Sequence, residues 1–326
     1  MKDFIRRMSP GWFTCVMGTG ILSVVSGFYA AHFLQLFFFY TALTFFTVFF
    51  VFWIIRWLVF WKDALEDLMD PVVANFYPTS GVGALVLSAA SIPLGFPRAF
   101  SVFFWVLGSV IVVFFSVLVP IIMFRRESLN TGYLNPAWFI PPVGLVVIPI
   151  AGSQLANSPF GVIFNLICLG SGMMLYFSLH AMVFQRLLFH HPLPPKMVPT
   201  LWINLGPIGA GGVALIKLTS VMAPDLVKVS SFGCAILWGL GIWWLVVSIS
   251  LTLYELFSGN LDFAMSWWAF TFPLGAFISL SRALYGVFEN TFFNLVGGGL
   301  YWLLVFIWII TFLRTLKALI FANPRP

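Results

Sequence analysis

Charge is what this sequence has least of. Only 8% of its 326 residues are Asp, Glu, Lys or Arg, where a soluble globular domain carries about a quarter. So few charges cannot cover a water-facing surface of this size, which excludes a soluble enzyme. Cysteine is nearly as scarce. Cys15, Cys168 and Cys234 are far apart, each inside an apolar run, and an odd, dispersed set gives neither a disulfide framework nor a metal cage. The ten carboxylates all fall in loops or near the ends of apolar runs. A proton pump or cation channel needs an acid within the membrane, and none is well placed. No His, Asp or Glu cluster has metal-ligand spacing, and no Ser or Cys nucleophile has an evident base, so neither a cofactor nor catalysis is expected. The net charge of +6 does not indicate nucleic acid, because the basic residues stand singly or in pairs without a basic helix or stripe.

What is present is apolar: 61% of the chain, with 39 Phe and 14 Trp. Crossing a hydrocarbon core of about 30 Å takes roughly 20 helical residues. Ten stretches meet that length, at 10–30, 35–60, 77–95, 99–124, 137–154, 159–187, 199–221, 229–257, 266–286 and 292–320. They do not alternate apolar with polar residues as membrane barrel strands do, so an all-α polytopic membrane protein is expected. The first run carries Pro10, Gly11, Gly18 and Gly20 without a small-residue cleavage site, and is expected to remain as a span. Ten spans put both termini on one side. Under that topology Lys2, Arg6, Arg7, Arg56, Lys62, Arg125, Arg126, Arg186, Lys196, Arg314, Lys317 and Arg325 share that side, against Arg98 and Lys228 opposite. Basic residues mark the cytoplasmic face, so both termini are expected inside the cell.

The odd-numbered spans share a signature. WFTCVMG (12–18), NFYPTSG (75–81), WFIPPVG (138–144), INLGPIG (203–209) and AFTFPLG (269–275) each run from bulky residues into a glycine. The closing glycines Gly18, Gly81, Gly144, Gly209 and Gly275 are 63, 63, 65 and 66 residues apart. Pro142, Pro207 and Pro273 stand two residues before their glycine and Pro78 three before, while the first unit has Met17 in place of proline. The even spans lack this pattern and are richer in Phe, Leu and Val. The chain is therefore expected to be one transmembrane domain, 1–326, of five parallel hairpin repeats of about 64 residues. Proline-interrupted helices in lipid face protein or a water-filled path. Five inner helices ringed by five plain ones, in quasi-fivefold arrangement around a central pore, satisfy that. The same glycines also serve close helix packing, and the two roles stay open at each position.

Three segments carry a resemblance. PGWFTCVMGTGILS (10–23), LPPKMVPTLWINLGPIG (193–209) and WWAFTFPLGAF (267–277) resemble the tellurite-resistance/dicarboxylate transporter family. That family includes fungal malate permeases, sulfite efflux pumps, bacterial tellurite-resistance proteins and plant slow anion channels. The resemblance implies a homotrimer of ten-helix protomers, inner helices kinked at proline, and one pore per protomer occluded by a Phe on the ninth span. The matching residue is Phe272. It also implies a plasma-membrane protein that moves small anions, most readily C4-dicarboxylates such as malate, with sulfite, chloride or nitrate as alternatives.

Two cations lie inside predicted spans. Lys217 follows Gly209 by eight residues and Arg282 follows Gly275 by seven, roughly 10–12 Å further along the helix. Both are expected at one level, either attracting anions into an outer vestibule or snorkelling to headgroups. His180, His190 and His191 are expected near the cytoplasmic face, and the proline-rich connector 192–199 is expected to be an extended loop. Thr14, Thr79, Ser80, Asn204 and Thr271 either offer hydrogen bonds to an anion or satisfy carbonyls at the helix breaks. The topology has a direct check. Cysteines introduced at 96–98 and 225–228 should label from outside, and those at 125–130 and 190–196 from inside. Outside labelling at 125–130 would overturn the ten-span arrangement.

Overall fold

The computed structural model describes residues 2–127 and 131–321, so the last three positions of the 125–130 loop lie outside the described residues. Every regular element among the described residues is helical. In chain order the first half holds α1 (Lys2–Arg7), α2 (Phe13–Tyr29), α3 (His32–Val59), α4 (Trp61–Met69), α5 (Thr79–Ser91) and α6 (Arg98–Phe124). The second half holds α7 (Ile140–Leu155), α8 (Pro159–Phe189), α9 (Leu205–Met222), α10 (Val227–Phe257), α11 (Thr271–Phe288) and α12 (Thr291–Phe321).

Two kinds of helix alternate. α3, α6, α8, α10 and α12 run 27–31 residues, long enough to cross a bilayer with length to spare. α2, α5, α7, α9 and α11 have 13–18 residues. At 1.5 Å per residue that is roughly 20–27 Å, short of the hydrocarbon core. Each short helix is entered through a 3-10 segment: Pro10–Trp12, Val73–Phe76, Pro136–Phe139, Pro195–Asn204 and Met265–Phe270. The longer rise of a 3-10 turn extends the crossing. Among the described residues, nine helices with their 3-10 leads are long and apolar enough to span, and α4 together with Val73–Ser91, bent by 107° between them, makes ten if the pair counts as one span. Trp57 near the end of α3 meets the Tyr77 ring at 6.1 Å, and Ser88 in α5 donates to the Ser101 carbonyl in α6 at 2.7 Å. α5 thus starts beside the end of α3 and finishes beside the start of α6.

The prolines sit elsewhere than a kinked helix requires. Pro142, Pro207 and Pro273 are each the third residue of α7, α9 and α11, and Pro78 directly precedes α5. The irregular backbone lies before the proline, as 3-10 helix, and not within a continuous α-helix. A first-turn N–H has no intrahelical acceptor, so proline there sacrifices no hydrogen bond. The first unit, which lacks the matching proline, has the same 3-10 entry, started by Pro10. The connector 192–199 also differs from expectation, since Pro195–Asn204 is a 3-10 helix. A 3-10 turn bonds i to i+3 in short runs and accepts the φ that proline imposes.

Packing arranges the short helices in a closed ring. α2 lies against α5, α5 against α7, α7 against α9, α9 against α11, and α11 returns to α2. Each long helix packs on the short helix before it and also touches the next one round. Burial follows the same division: 67–78% of the central residues in the spans of α2, α7, α9 and α11 are buried, against 22–39% in the long helices. The long helices turn Phe33, Phe103, Phe114, Phe160, Phe232 and Trp302 outward, a surface suited to lipid. Indole N–H groups fix the two layers in rotation. Trp308 on α12 donates to Thr19 Oγ1 on α2 at 3.0 Å, Trp238 on α10 to Ser281 Oγ on α11 at 2.8 Å, and Trp105 on α6 to the Ile148 carbonyl on α7 at 3.0 Å. Each such bond contributes about 1 kcal/mol net.

On the side of the chain termini, α4 is held by ion pairs. Arg6 Nε meets Asp63 Oδ1 at 2.9 Å, and Arg56 Nη2 meets Asp67 Oδ2 at 2.6 Å. Arg56 is buried, and its Nε also donates to the Arg6 carbonyl at 3.0 Å. The ring itself depends on close backbone approach. A Cβ on Gly209 would overlap the backbone of Ala276 and Phe277 in α11, and backbone cannot swing aside as a side chain can. Gly239 on α10 has nothing within 4 Å of the same position. Gly209→Leu should therefore cost about 1–3 kcal/mol or more from overpacking, while Gly239→Leu should be near neutral. Thermal unfolding of the two purified variants in detergent measures the contrast.

Candidate functional site

Two cavities lie inside the ring of short helices, and every short helix or its 3-10 lead contributes wall to both. The cavity on the side of the chain termini is small, about 30 Å³, and is lined by Thr14, Thr79, Val143, Gly206 and Ala269 among others. That is the share of roughly one water molecule in the liquid. The cavity on the opposite side is much larger, about 620 Å³, and reaches from Ile21, Val147 and Ala210 out to Gln154, Lys217 and Arg282. Spacing along each helix explains why these residues meet. Residues 143, 147, 150 and 154 of α7, 206, 210, 213 and 217 of α9, and 272, 276, 279 and 283 of α11 recur at three- and four-residue steps, one face of a helix. Small side chains on those faces leave the space.

Among the described residues, Phe272 is the single one that lines both cavities. It is 4% exposed, and a Cβ placed on Gly206 of the neighbouring α9 would stand 3.9 Å from its Cε1. Pro273 follows at once, restricting the backbone that carries the ring. An aromatic side chain thus stands as the partition between two spaces on one axis.

Lys217 and Arg282 share the wall of the larger cavity, together with Gln35, Gln154 and Ser279. No carboxylate lines it among the described residues. The two cations are held differently. Lys217 Nζ donates to the Ile150 carbonyl at 3.4 Å, close to Pro149, which interrupts the bonding of α7. The Arg282 guanidinium lies 4.9 Å from the centre of the Tyr285 ring, a cation–π contact, and forms no ion pair among the described residues. Its N–H fork is the more available of the two.

The five glycines fall elsewhere. Gly18 faces Thr271 and Trp268, Gly81 faces Gly108, Gly144 faces Val112, Gly209 faces Ala276 and Gly275 faces Ile21. None lines either cavity, so their place is the contact between helices, where a missing side chain lets backbones approach. Of the three prolines, Pro273 reaches a cavity wall and Pro142 and Pro207 do not. The hydroxyls answer the choice the sequence left open. Thr14, Thr79, Ser80 and Thr271 donate to the carbonyls of Gly11, Phe76, Tyr77 and Trp268, each three residues earlier. They satisfy the 3-10 entries.

His180 packs against the 3-10 leads of α7 and α9. It sits among the rings of Phe139, Tyr176, Phe184 and Trp244, and its Nδ1 lies 3.1 Å from Asn204 Oδ1. Asn204 ends the 3-10 lead into α9, so its amide fastens that entry to α8. Gln35 went unnoticed in the sequence because it belongs to a long outer helix. Its signal is there: it is the one amide in the Phe-rich run 33–39.

Among the described residues, nine to ten helices long and apolar enough to cross a membrane, with a closed ring of short ones around two cavities, make this a multi-pass membrane protein. The chain belongs to the voltage-dependent anion channel family, whose model matches residues 7–316. It is 44% identical to an uncharacterised transporter of Methanocaldococcus jannaschii over 96% of this chain and 94% of the relative. It is 25% identical to a sulfite efflux pump of Arthroderma benhamiae, covering 95% and 90% of the two chains. Similarity to a malic acid transport protein of Schizosaccharomyces pombe is 24% over 60% of this chain and 49% of that protein. The relatives are thus a transporter, a sulfite efflux pump and a malic acid transport protein, and the family is one of anion transporters and channels.

Proposed function

We infer that this protein moves small anions across the membrane along the axis of the short-helix ring, with Phe272 as the gate. The observation that carries this reading is the position of Phe272 between an almost closed space and a wide cavity bearing two cations. An apolar constriction stops ions by withholding hydration, and an anion in the wide cavity is met by Arg282 and Lys217 with no carboxylate to repel it. The favoured cargo is a C4-dicarboxylate such as malate, supported by the malic acid transport relative. A second reading, sulfite, is supported by the sulfite efflux relative, whose similarity extends over more of both chains. The remaining elements of the proposal are five parallel hairpin repeats in one domain, both termini cytoplasmic in the plasma membrane, and a homotrimer. The basic asymmetry supports the topology. Mass determination of the detergent-solubilised protein tests the trimer.

Phe272→Ala should raise anion conductance in planar bilayers or liposomes while sparing assembly. Phe270 packs edge-on against Trp202 at 5.2 Å and lines neither cavity, so Phe270→Ala should lower stability by about 3–5 kcal/mol without opening the path. Wild-type conductance in a folded Phe272→Ala protein would remove the gate assignment. The cations are tested by salt. Charge in a poorly screened vestibule concentrates anions, and the effect fades as the Debye length falls from about 30 Å at 0.01 M to 3 Å at 1 M. Arg282→Gln should therefore reduce flux several-fold more at low ionic strength than at high. Lys217→Gln should act more weakly, because Lys217 is already tethered to Ile150.

A further inference from the structure

Among the described residues, the wall of the wide cavity has one member supplied by an outer helix. Gln35 comes from α3, an outer helix whose other residues turn to lipid or to packing, yet it is 6% exposed and faces the cavity beside Gly27. A buried amide in a membrane protein must be accounted for atom by atom. Its backbone carbonyl accepts from Ser23 Oγ on α2 at 2.8 Å. Its Oε1 lies 3.3 Å from His32 Nδ1; an amide oxygen only accepts, so the ring nitrogen carries the proton. Nε2 remains. Among the described residues nothing accepts from it, and it lies over Gly27, where an added Cβ would stand 2.9 Å away. The Ser23 hydroxyl anchors the backbone of Gln35, the His32 imidazole and the space over Gly27 hold its side-chain amide, and the N–H₂ group is left unspent.

We propose that Gln35 is a specificity-determining residue of the transport path: a neutral N–H donor that, with the Arg282 guanidinium, selects oxyanions over halides. The proposal rests on the reading above that anions occupy the wide cavity. Positive charge alone draws any anion and does not discriminate. Arginine presents a planar fork matched to paired oxygens, and Gln35 adds a donor from a different helix. An anion with several oxygens can engage donors on α3 and α11 together, whereas a halide is a single acceptor centre. Carboxylates and sulfite both meet this requirement.

The test is flux of malate, sulfite and chloride, measured in parallel in proteoliposomes for the wild type, Gln35→Met, Gln35→Asn and Gly27→Ala. Gln35→Met keeps the length and removes the donor. It should lower the malate-to-chloride and sulfite-to-chloride flux ratios about tenfold, the scale of one hydrogen bond to a charged group. Gly27→Ala leaves Gln35 in the sequence but displaces its amide, and should shift the ratios in the same direction. Gln35→Asn withdraws the donor while keeping an amide, and gives the same readout should the methionine variant fail to assemble. Ratios unchanged in folded variants overturn the role of Gln35 while leaving the transport reading intact. A wild type that moves none of the three anions overturns both.

Discussion

The inner helices are too short for the membrane they cross, and much else in the structure answers that shortfall. In hydrocarbon a backbone N–H or C=O without a partner costs several kcal/mol, so the chain beyond each α-helical stretch still has to bond to something. Here it continues as 3-10 helix, with Thr14, Thr79, Ser80 and Thr271 donating to carbonyls three residues back. Proline in the first α-turn fits the same scheme, since it occupies the one place where its missing donor is not needed. Irregular backbone at this depth is tolerable only inside protein. The outer helices supply that cover, and their indoles pin α2, α7 and α11 at a fixed rotation. That rotation puts small residues on the axis and brings Lys217 and Arg282 to one cavity.

Much of this architecture could be read from the residues, and its limits have physical reasons. The alternation of Gly/Pro-bearing and Phe-rich spans is a composition signal, and it separates inner from outer helices correctly because lipid exposure and backbone crowding select different residue types. The location of the break was misread. Proline is compatible both with a kink inside a helix and with a helix start, and only the backbone of Ile140–Pro142 or Leu205–Pro207 distinguishes them. The third span differs at its edges: the stretch expected at 77–95 is Val73–Ser91, because it opens on the 3-10 helix Val73–Phe76 and its α-helix stops at Ser91.

The candidate site was legible where it depends on charge and illegible where it depends on direction. Lys217 and Arg282 stand out because ionisable residues are rare within spans. Phe272 stood out through resemblance alone, for nothing marks one phenylalanine among 39 until its position between two cavities is known. Whether a glycine faces an axis or a neighbour is a matter of some tens of degrees of helix rotation, which spacing does not fix. The packing of His180 on Phe139 and Asn204 was illegible for the same reason, since spacing along a 31-residue helix does not say which side chains turn inward. Gln35 was missed because one amide in a Phe-rich outer span carries no spacing signal that turns it toward the axis.

All five ring helices run in the same direction, and this gives the path an electrical polarity of its own. Peptide dipoles that would cancel in an alternating bundle add here, leaving partial positive charge at the helix starts and partial negative charge at the helix ends. The side of the chain termini is thus hospitable to anions without any charged residue on the small cavity wall. The far side is not, since five carbonyl-rich helix ends converge there. Lys217 and Arg282 lie in the closing turns of α9 and α11, and Arg98 donates to the Leu155 carbonyl at the end of α7 at 2.8 Å. Seen this way, the cations of the wide mouth first offset a field that the backbone itself produces. A route built from one-directional helices on one side and side-chain charge on the other is not equivalent under reversal of the membrane voltage.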